Sequence, residues 1–243
     1  MNHFYFGSSI NCVNVSGKTV ADAEKELPAQ AQSYTLNLKE RGGKTEQIRG
    51  SDIELSYNPD GQVQNIKDGQ NPFGWIFSFF NAKNYKIIGG ILYNKELLKT
   101  QVSNLSCIKS SNIILPKNPG FIYVNNNYTI TPEVKGNKIN YDVLSDYVSK
   151  SISKFENTID LESINCYVEP EYSSNSPKVT DVKNMLNKYI SSKITYTFGE
   201  HSEILDGSVI NKWIKIDDNL QVTFDEEKIK NYLAGLSIAY DTV

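Results

Sequence analysis

Thr19–Leu27 (TVADAEKEL) leads into Tyr34–Leu38 (YTLNL), then Gly50–Leu55 (GSDIEL), then Asp60–Val63 (DGQV). Near the other end, Val179–Leu186 (VTDVKNML) leads into Ile194–Phe198 (ITYTF), then Gly207–Ile216 (GSVINKWIKI), then Asp218–Val222 (DNLQV). Helix, strand, Gly-Ser strand, turn and Gln-Val strand recur in one order, with gaps that differ by only a few residues. Self-similarity of this kind marks duplicated structural modules, which bind or space things more readily than they carry out chemistry. The expected fold class is α+β: two related small modules, each with antiparallel or mixed strands packed with helices.

Local signals fill in the modules. Thr19 reads as an N-cap with Asp22 completing a capping box, and Val20, Ala23, Leu27 and Ala31 share one helical face. Pro28 is expected to end or kink that helix. Tyr34, Leu36 and Leu38 alternate with polar residues, as do Ile53, Leu55 and Tyr57 around the Gly42-Gly43 break, which is the pattern of half-buried strands. Asn58-Pro59-Asp60-Gly61 is a turn. Further along, Asn94–Leu105 has helical spacing, and Phe121–Val124 and Tyr128–Ile130 flank Asn125-Asn126-Asn127 as a hairpin. Asn140 caps a helix with Leu144, Tyr147, Val148, Ile152 and Phe155 on one face. Ser176-Pro177 opens one carrying Val179, Val182, Leu186 and Tyr189. Asp225 caps a last helix with Ile229, Tyr232, Leu233, Leu236 and Tyr240 on its apolar face. The first copy offers no clear counterpart to that last helix, because Phe73-Gly74-Trp75 interrupts the corresponding place. Gly89-Gly90 suggests a boundary, giving an N-terminal module at 1–90 and a second domain at 91–243. The most apolar stretch, Asn71–Phe80 (NPFGWIFSFF), is expected to be buried.

Composition and motifs exclude several functions. At 243 residues with a net charge of −3 and no run of Lys or Arg, the chain lacks the basic surplus of a nucleic-acid binder. No stretch approaches the roughly 18 apolar residues of a membrane span. Cys12, Cys107 and Cys166 lie far apart without CxxC spacing, which argues against zinc, and their odd number excludes a fully paired disulfide framework. The two histidines, His3 and His201, sit in no nucleophile–base motif, and GxSxG, P-loop, GxGxxG and HExxH patterns are absent. Asp160 and Glu162, Glu169 and Glu171, and Asp225-Glu226-Glu227 could in principle supply the facing carboxylates of a glycoside hydrolase. The last trio is better explained as a cap and a negative first turn. Asp217-Asp218-Asn219 lacks the ligand series of a calcium loop. The expectation is no catalytic residue, no metal and no cofactor. The 15 tyrosines and 2 tryptophans leave saccharide stacking open, with Tyr123, Tyr128 and Trp213 as binding candidates.

Three segments also resemble a known family. The opening FYFGSSINCVNVSGKTVADAEKEL is similar to the segment that follows the membrane anchor in Gram-positive L,D-transpeptidases of the YkuD type. Ile130–Asp142 (ITPEVKGNKINYD) resembles a phrase of their peptidoglycan-binding domain. Leu205-Asp206-Gly207, Trp213-Ile214, Phe224-Asp225 and Tyr240-Asp241-Thr242 look like that domain's closing strands and helix. In that family a catalytic Cys follows in a Ser-His-Gly-Cys motif, whereas Cys12, Cys107 and Cys166 follow Asn11, Ser106 and Asn165. The resemblance therefore implies a non-catalytic wall-binding or spacer region whose partners are peptidoglycan (glycan or stem peptide) and a C-terminal catalytic domain of the parent. It also implies a location on the extracellular face, with an N-terminal membrane anchor in the parent. Similar domains precede VanW-type domains as well. Two alternatives stand beside this expectation: a standalone carboxylate-based wall hydrolase, and a protein-interaction scaffold.

Overall fold

The computed structural model describes residues 2–71, 74–78, 81–87 and 89–240. The Asp241-Thr242 end and much of the apolar Asn71–Phe80 stretch lie outside the described residues. A hairpin, β1 (Ser8–Ile10) and β2 (Val13–Asn14), is followed by the 14-residue helix α1 (Val20–Ser33). Thr19 caps it: the hydroxyl accepts from the Asp22 N–H and the Asp22 carboxylate accepts from the Thr19 N–H. The hairpin β3 (Thr35–Lys39) and β4 (Thr45–Arg49) comes next, then a 3-10 turn at Gly50–Ile53 and the short strand β5 (Ser56–Tyr57). α2 (Gln62–Asp68), α3 (Trp75–Ser78) and β6 (Lys83–Tyr85) intervene before β7 (Ile91–Leu92), α4 (Lys95–Asn104) and α5 (Ser106–Lys109).

The hairpin β8 (Gly120–Val124) and β9 (Asn127–Thr131) follows, then α6 (Tyr141–Ser153), β10 (Thr158–Asp160) and the 14-residue α7 (Pro177–Ile190). The hairpin β11 (Ile194–Phe198) and β12 (His201–Leu205), the one-turn helix α8 (Gly207–Ile210), β13 (Ile214–Ile216), β14 (Val222–Phe224) and α9 (Glu226–Tyr240) complete the element order. The fold is α+β, with small mixed or antiparallel sheets. Two of these are three-stranded, β2-β1-β6 and β10-β3-β4, and each holds one parallel and one antiparallel pair.

The chain divides into two compact units, Met1–Ile114 with Asn137–Val168, and Leu115–Gly136 with Glu169–Val243. The first unit holds two cores. One gathers Leu36, Leu38, Ile48, Ile53, Leu144, Ile152 and Leu161, and the other Phe4, Ile10, Val15, Leu27, Val63 and Ile87. The second unit is built on Val179, Val182, Leu186, Leu205, Ile210, Trp213 and Leu220. Each large apolar side chain taken wholly out of water contributes about 1.5–3 kcal/mol, so the buried face of α7 alone anchors its unit.

Several expectations need correction. Gly50 and Gly207 do not open strands. Each begins a single helical turn that passes beneath the end of the preceding long helix. The reason is contact: a Cβ on Gly50 would lie 2.2 Å from the Ala31 carbonyl oxygen, and one on Gly207 2.4 Å from that of Ile190. Gln62-Val63 starts helix α2, whereas Gln221-Val222 enters strand β14. Pro28 sits inside α1 without ending it. The lost N–H removes one helical bond, but the buried Ala23, Leu27 and Ala31 hold the helix together. Tyr147 is 39 % exposed despite its place on the α6 face.

α4 and the closing helix α9 enter the fold in similar ways, although the sequence offers no clear counterpart to α9 near the start. β5 pairs antiparallel with β7 as β13 does with β14. The Asn94 N–H then donates to the Ile53 carbonyl at 2.9 Å, as the Asp225 N–H does to that of Trp213 at 2.7 Å. Asn94 and Asp225 both cap the helix that follows. The stretch from Asn58 to Gly90 is thus an insertion between two paired strands, which hid the relation at sequence level.

Candidate functional site

The second unit carries the binding candidates. Asn125 and Asn126 adopt φ of 50° and 59°, a conformation asparagine tolerates, and they turn β8 into β9. This register sets Tyr123 opposite Tyr128 with ring centroids 5.5 Å apart. Tyr128 is only 5 % exposed. Its N–H donates to Asn187 Oδ1 at 2.7 Å, and Asn187 Nδ2 donates to its carbonyl at 3.3 Å, so an amide from α7 occupies the edge of β9. Burial raises the Tyr128 hydroxyl above its ordinary pKa. Trp213 is 9 % exposed, because it follows a helical turn instead of alternating along a strand, and its ring meets Tyr232 edge-on at 5.3 Å. Tyr128 and Trp213 therefore belong to the core, and Tyr123 is the half-buried member of the three.

A cleft of about 760 Å³ lies elsewhere in this unit, where Leu115–Phe121, Glu169–Glu171 and the β13–β14 turn come together. Its walls are Leu115, Pro116, Pro119, Pro170 and Leu220. Asn118 fastens two sides: its Nδ2 donates to the Asp218 carbonyl at 2.9 Å, and its Oδ1 accepts from the Tyr172 N–H at 3.1 Å. Glu169, Glu171, Asp217 and Asp218 rim the opening, together with Lys117. The Asp217 carboxylate is occupied by its own turn, accepting from the Gln221 N–H at 2.7 Å and allowing Leu220 a φ of 62°. Sequence spacing could not bring Glu169 and Glu171 to Asp218. Only the fold does so.

All four carboxylates are exposed, whereas a glycosidase needs one desolvated carboxyl to hold a proton facing a second. His201 is exposed on β12 and accepts or donates no side-chain hydrogen bond among the described residues. In the first unit, Glu40, Glu46 and Cys107 place ligand atoms within 4.8 Å of one another. Both Glu46 oxygens there accept the Ser106 and Cys107 N–H groups, at 2.7 and 2.8 Å, and so cap α5. Burial, then the charge of Glu46, pushes the Cys107 thiol well above its usual range, which favours its neutral form. Burial likewise raises Cys166 to about 11.

These features define an α+β region whose second unit carries a walled, polar-rimmed cleft. The model of the family described as "Putative peptidoglycan binding domain" matches residues 46–160, from β4 to β10. No curated protein matches the chain, and no solved structure does. Among the described residues no helix is long and apolar enough to cross a membrane.

Proposed function

We propose that this chain is a non-catalytic, peptidoglycan-binding region working on the extracellular side, in the cell wall. The family match over residues 46–160 carries this reading. The cleft of the second unit takes the stem peptide: proline and leucine walls suit an extended peptide, and Glu171 and Asp218 at the rim suit the ammonium of a diamino acid. Tyr123, half-buried beside Tyr128 and outside the cleft, is the one of the three aromatic candidates left to contribute a separate ring contact, since Tyr128 and Trp213 lie in the core. The finer part of the proposal is a parent L,D-transpeptidase, anchored in the plasma membrane, whose catalytic domain this region holds near polymeric substrate. Tethering raises effective concentration without new chemistry.

Titration with a stem peptide bearing a free ω-amine, against the same peptide N-acetylated there, tests the assignment. The free amine should bind several-fold more tightly, and Glu171→Gln with Asp218→Asn should abolish the difference. Equal binding of both peptides removes the cleft from the account. A second reading, a scaffold for a protein partner, is favoured by α9, which leaves Leu233 45 % and Ile238 85 % exposed. It predicts that Ile238→Glu abolishes partner capture without altering peptide titration.

A further inference from the structure

A second pocket, in the first unit, is built from groups that no part of the cleft uses. It measures about 290 Å³ and is lined by Tyr5, Ser8, Gln70, Gly74, Lys83 and Tyr85, among others. Gln70 and Ser8 are 8 % and 3 % exposed, so their polar atoms sit in the wall of the pocket and not on its rim. The Gln70 amide organises the others. Its Oε1 accepts the Tyr5 N–H at 3.2 Å, and its Nε2 donates to Ser8 Oγ and to the Tyr85 hydroxyl, both at 3.3 Å.

The direction of those bonds matters. Because Ser8 and Tyr85 act as acceptors toward Gln70, each keeps its own hydroxyl hydrogen to donate elsewhere. The Tyr5 hydroxyl is shielded from solvent and has no hydrogen-bond partner. An unmade bond at a buried hydroxyl costs about 1–3 kcal/mol, which a ligand acceptor would recover. Gly74 is what lets the wall close on that hydroxyl, since a Cβ there would lie 3.3 Å from the Tyr5 ring and 3.5 Å from its oxygen. Lys83, on β6, is exposed and forms no ion pair among the described residues.

We infer that this pocket binds a carboxylate, held by the hydroxyls of Tyr5, Ser8 and Tyr85 and paired with the Lys83 ammonium. A carboxylate is an acceptor with two oxygens and four lone-pair directions, which matches three hydroxyl donors in one pocket lining and one positive charge. The volume suits one residue-sized group and not a polymer. Two sources present that chemistry, the C-terminus of a short peptide and an acidic sugar. The site goes beyond the peptide cleft and does not depend on it.

The test is an NMR titration of the whole chain with N-acetyl-D-alanine, N-acetylmuramic acid and, as the uncharged control, N-acetyl-D-alanine amide. Either acid should shift amide resonances at residues 5–8, 69–71 and 83–85, and the stronger of the two names the source. Tyr5→Phe keeps the ring and removes only the unpartnered hydroxyl, so folding is preserved. It should weaken acid binding by about tenfold, the worth of one hydrogen bond to a charged acceptor. Lys83→Gln, at an exposed position, should weaken it by roughly threefold and flatten its dependence on salt. Amide binding as tightly as acid, or an unchanged affinity in Tyr5→Phe, overturns the assignment. Loss of stem-peptide binding in the cleft variants leaves it untouched, so the two sites fail separately.

Discussion

Replacing Gly207 by alanine puts the duplicated turn under direct strain. The new Cβ would sit 2.4 Å from the Ile190 carbonyl oxygen and 3.0 Å from the Ile190 Cβ. The oxygen belongs to the last turn of α7, which is fixed by the buried Val179, Val182 and Leu186, so it cannot swing aside as a flexible side chain would. Either α8 or the end of α7 has to move by about 1 Å, and overpacking of this kind costs about 1–3 kcal/mol. Alanine favours helix over glycine by about 0.5–1 kcal/mol, which opposes the clash without cancelling it. The net expectation is a loss of roughly 1–2 kcal/mol, or about 5–15 °C in the melting temperature of a domain this size. Gly50→Ala should behave alike, with its Cβ 2.2 Å from the Ala31 oxygen. Gly235→Ala is the control, because an added Cβ on that residue of α9 meets nothing within 4 Å and should stabilise slightly. Calorimetry reads the melting temperatures, and hydrogen exchange locates the loosened segment, expected at residues 177–210 for Gly207→Ala and 20–57 for Gly50→Ala. If Gly207→Ala melted like Gly235→Ala, the steric account of the repeated Gly-Ser turn would be wrong.

Other perturbations follow from the same geometry. Burial and the neighbouring Glu46 hold the Glu40 carboxyl above the usual range. The folded chain therefore keeps a proton there that the unfolded chain releases, and stability falls as pH rises past that range. Glu40→Gln should raise the melting temperature at pH 8 and leave it unchanged at pH 4. Glu46 has the opposite sign: burial raises it, but the Ser106 and Cys107 N–H donors together outweigh that and hold it low, so its contribution is lost as pH falls. Thiol alkylation of the folded chain should label the exposed Cys12 first, the half-buried Cys107 more slowly and the buried Cys166 only after unfolding; labelling of Cys107 as fast as Cys12 would contradict its raised thiol pKa. Asn118→Ala deletes two hydrogen bonds that fasten the cleft, and should cost about 1–2 kcal/mol while weakening stem-peptide binding in the titration.

The sequence marked the elements whose chemistry is local. Thr19, Asn94, Asn140 and Ser176 cap helices as their side chains dictate, and the Asn125-Asn126 turn follows from the φ that asparagine accepts. The α+β class follows from the switch between helical and alternating patterns. What the sequence concealed depends on long-range contact. Gly50 and Gly207 read as strand starts until the helix carbonyl above each is seen. Trp213 stands among the aromatic binding candidates, yet it follows the turn of α8 and is buried. The similar entry of α4 and α9 is hidden in the sequence because 33 residues, Asn58 to Gly90, separate β5 from its partner strand β7. The cleft joins segments about 50 and 100 residues apart through Asn118, a span no motif encodes.

Cosedimentation with purified insoluble peptidoglycan bears most directly on the central claim. The account predicts saturable transfer of the chain to the pellet, reduced by Asn118→Ala, with no soluble muropeptides released. A chain that stays in the supernatant at every salt concentration, or one that releases a defined cleavage product, contradicts it.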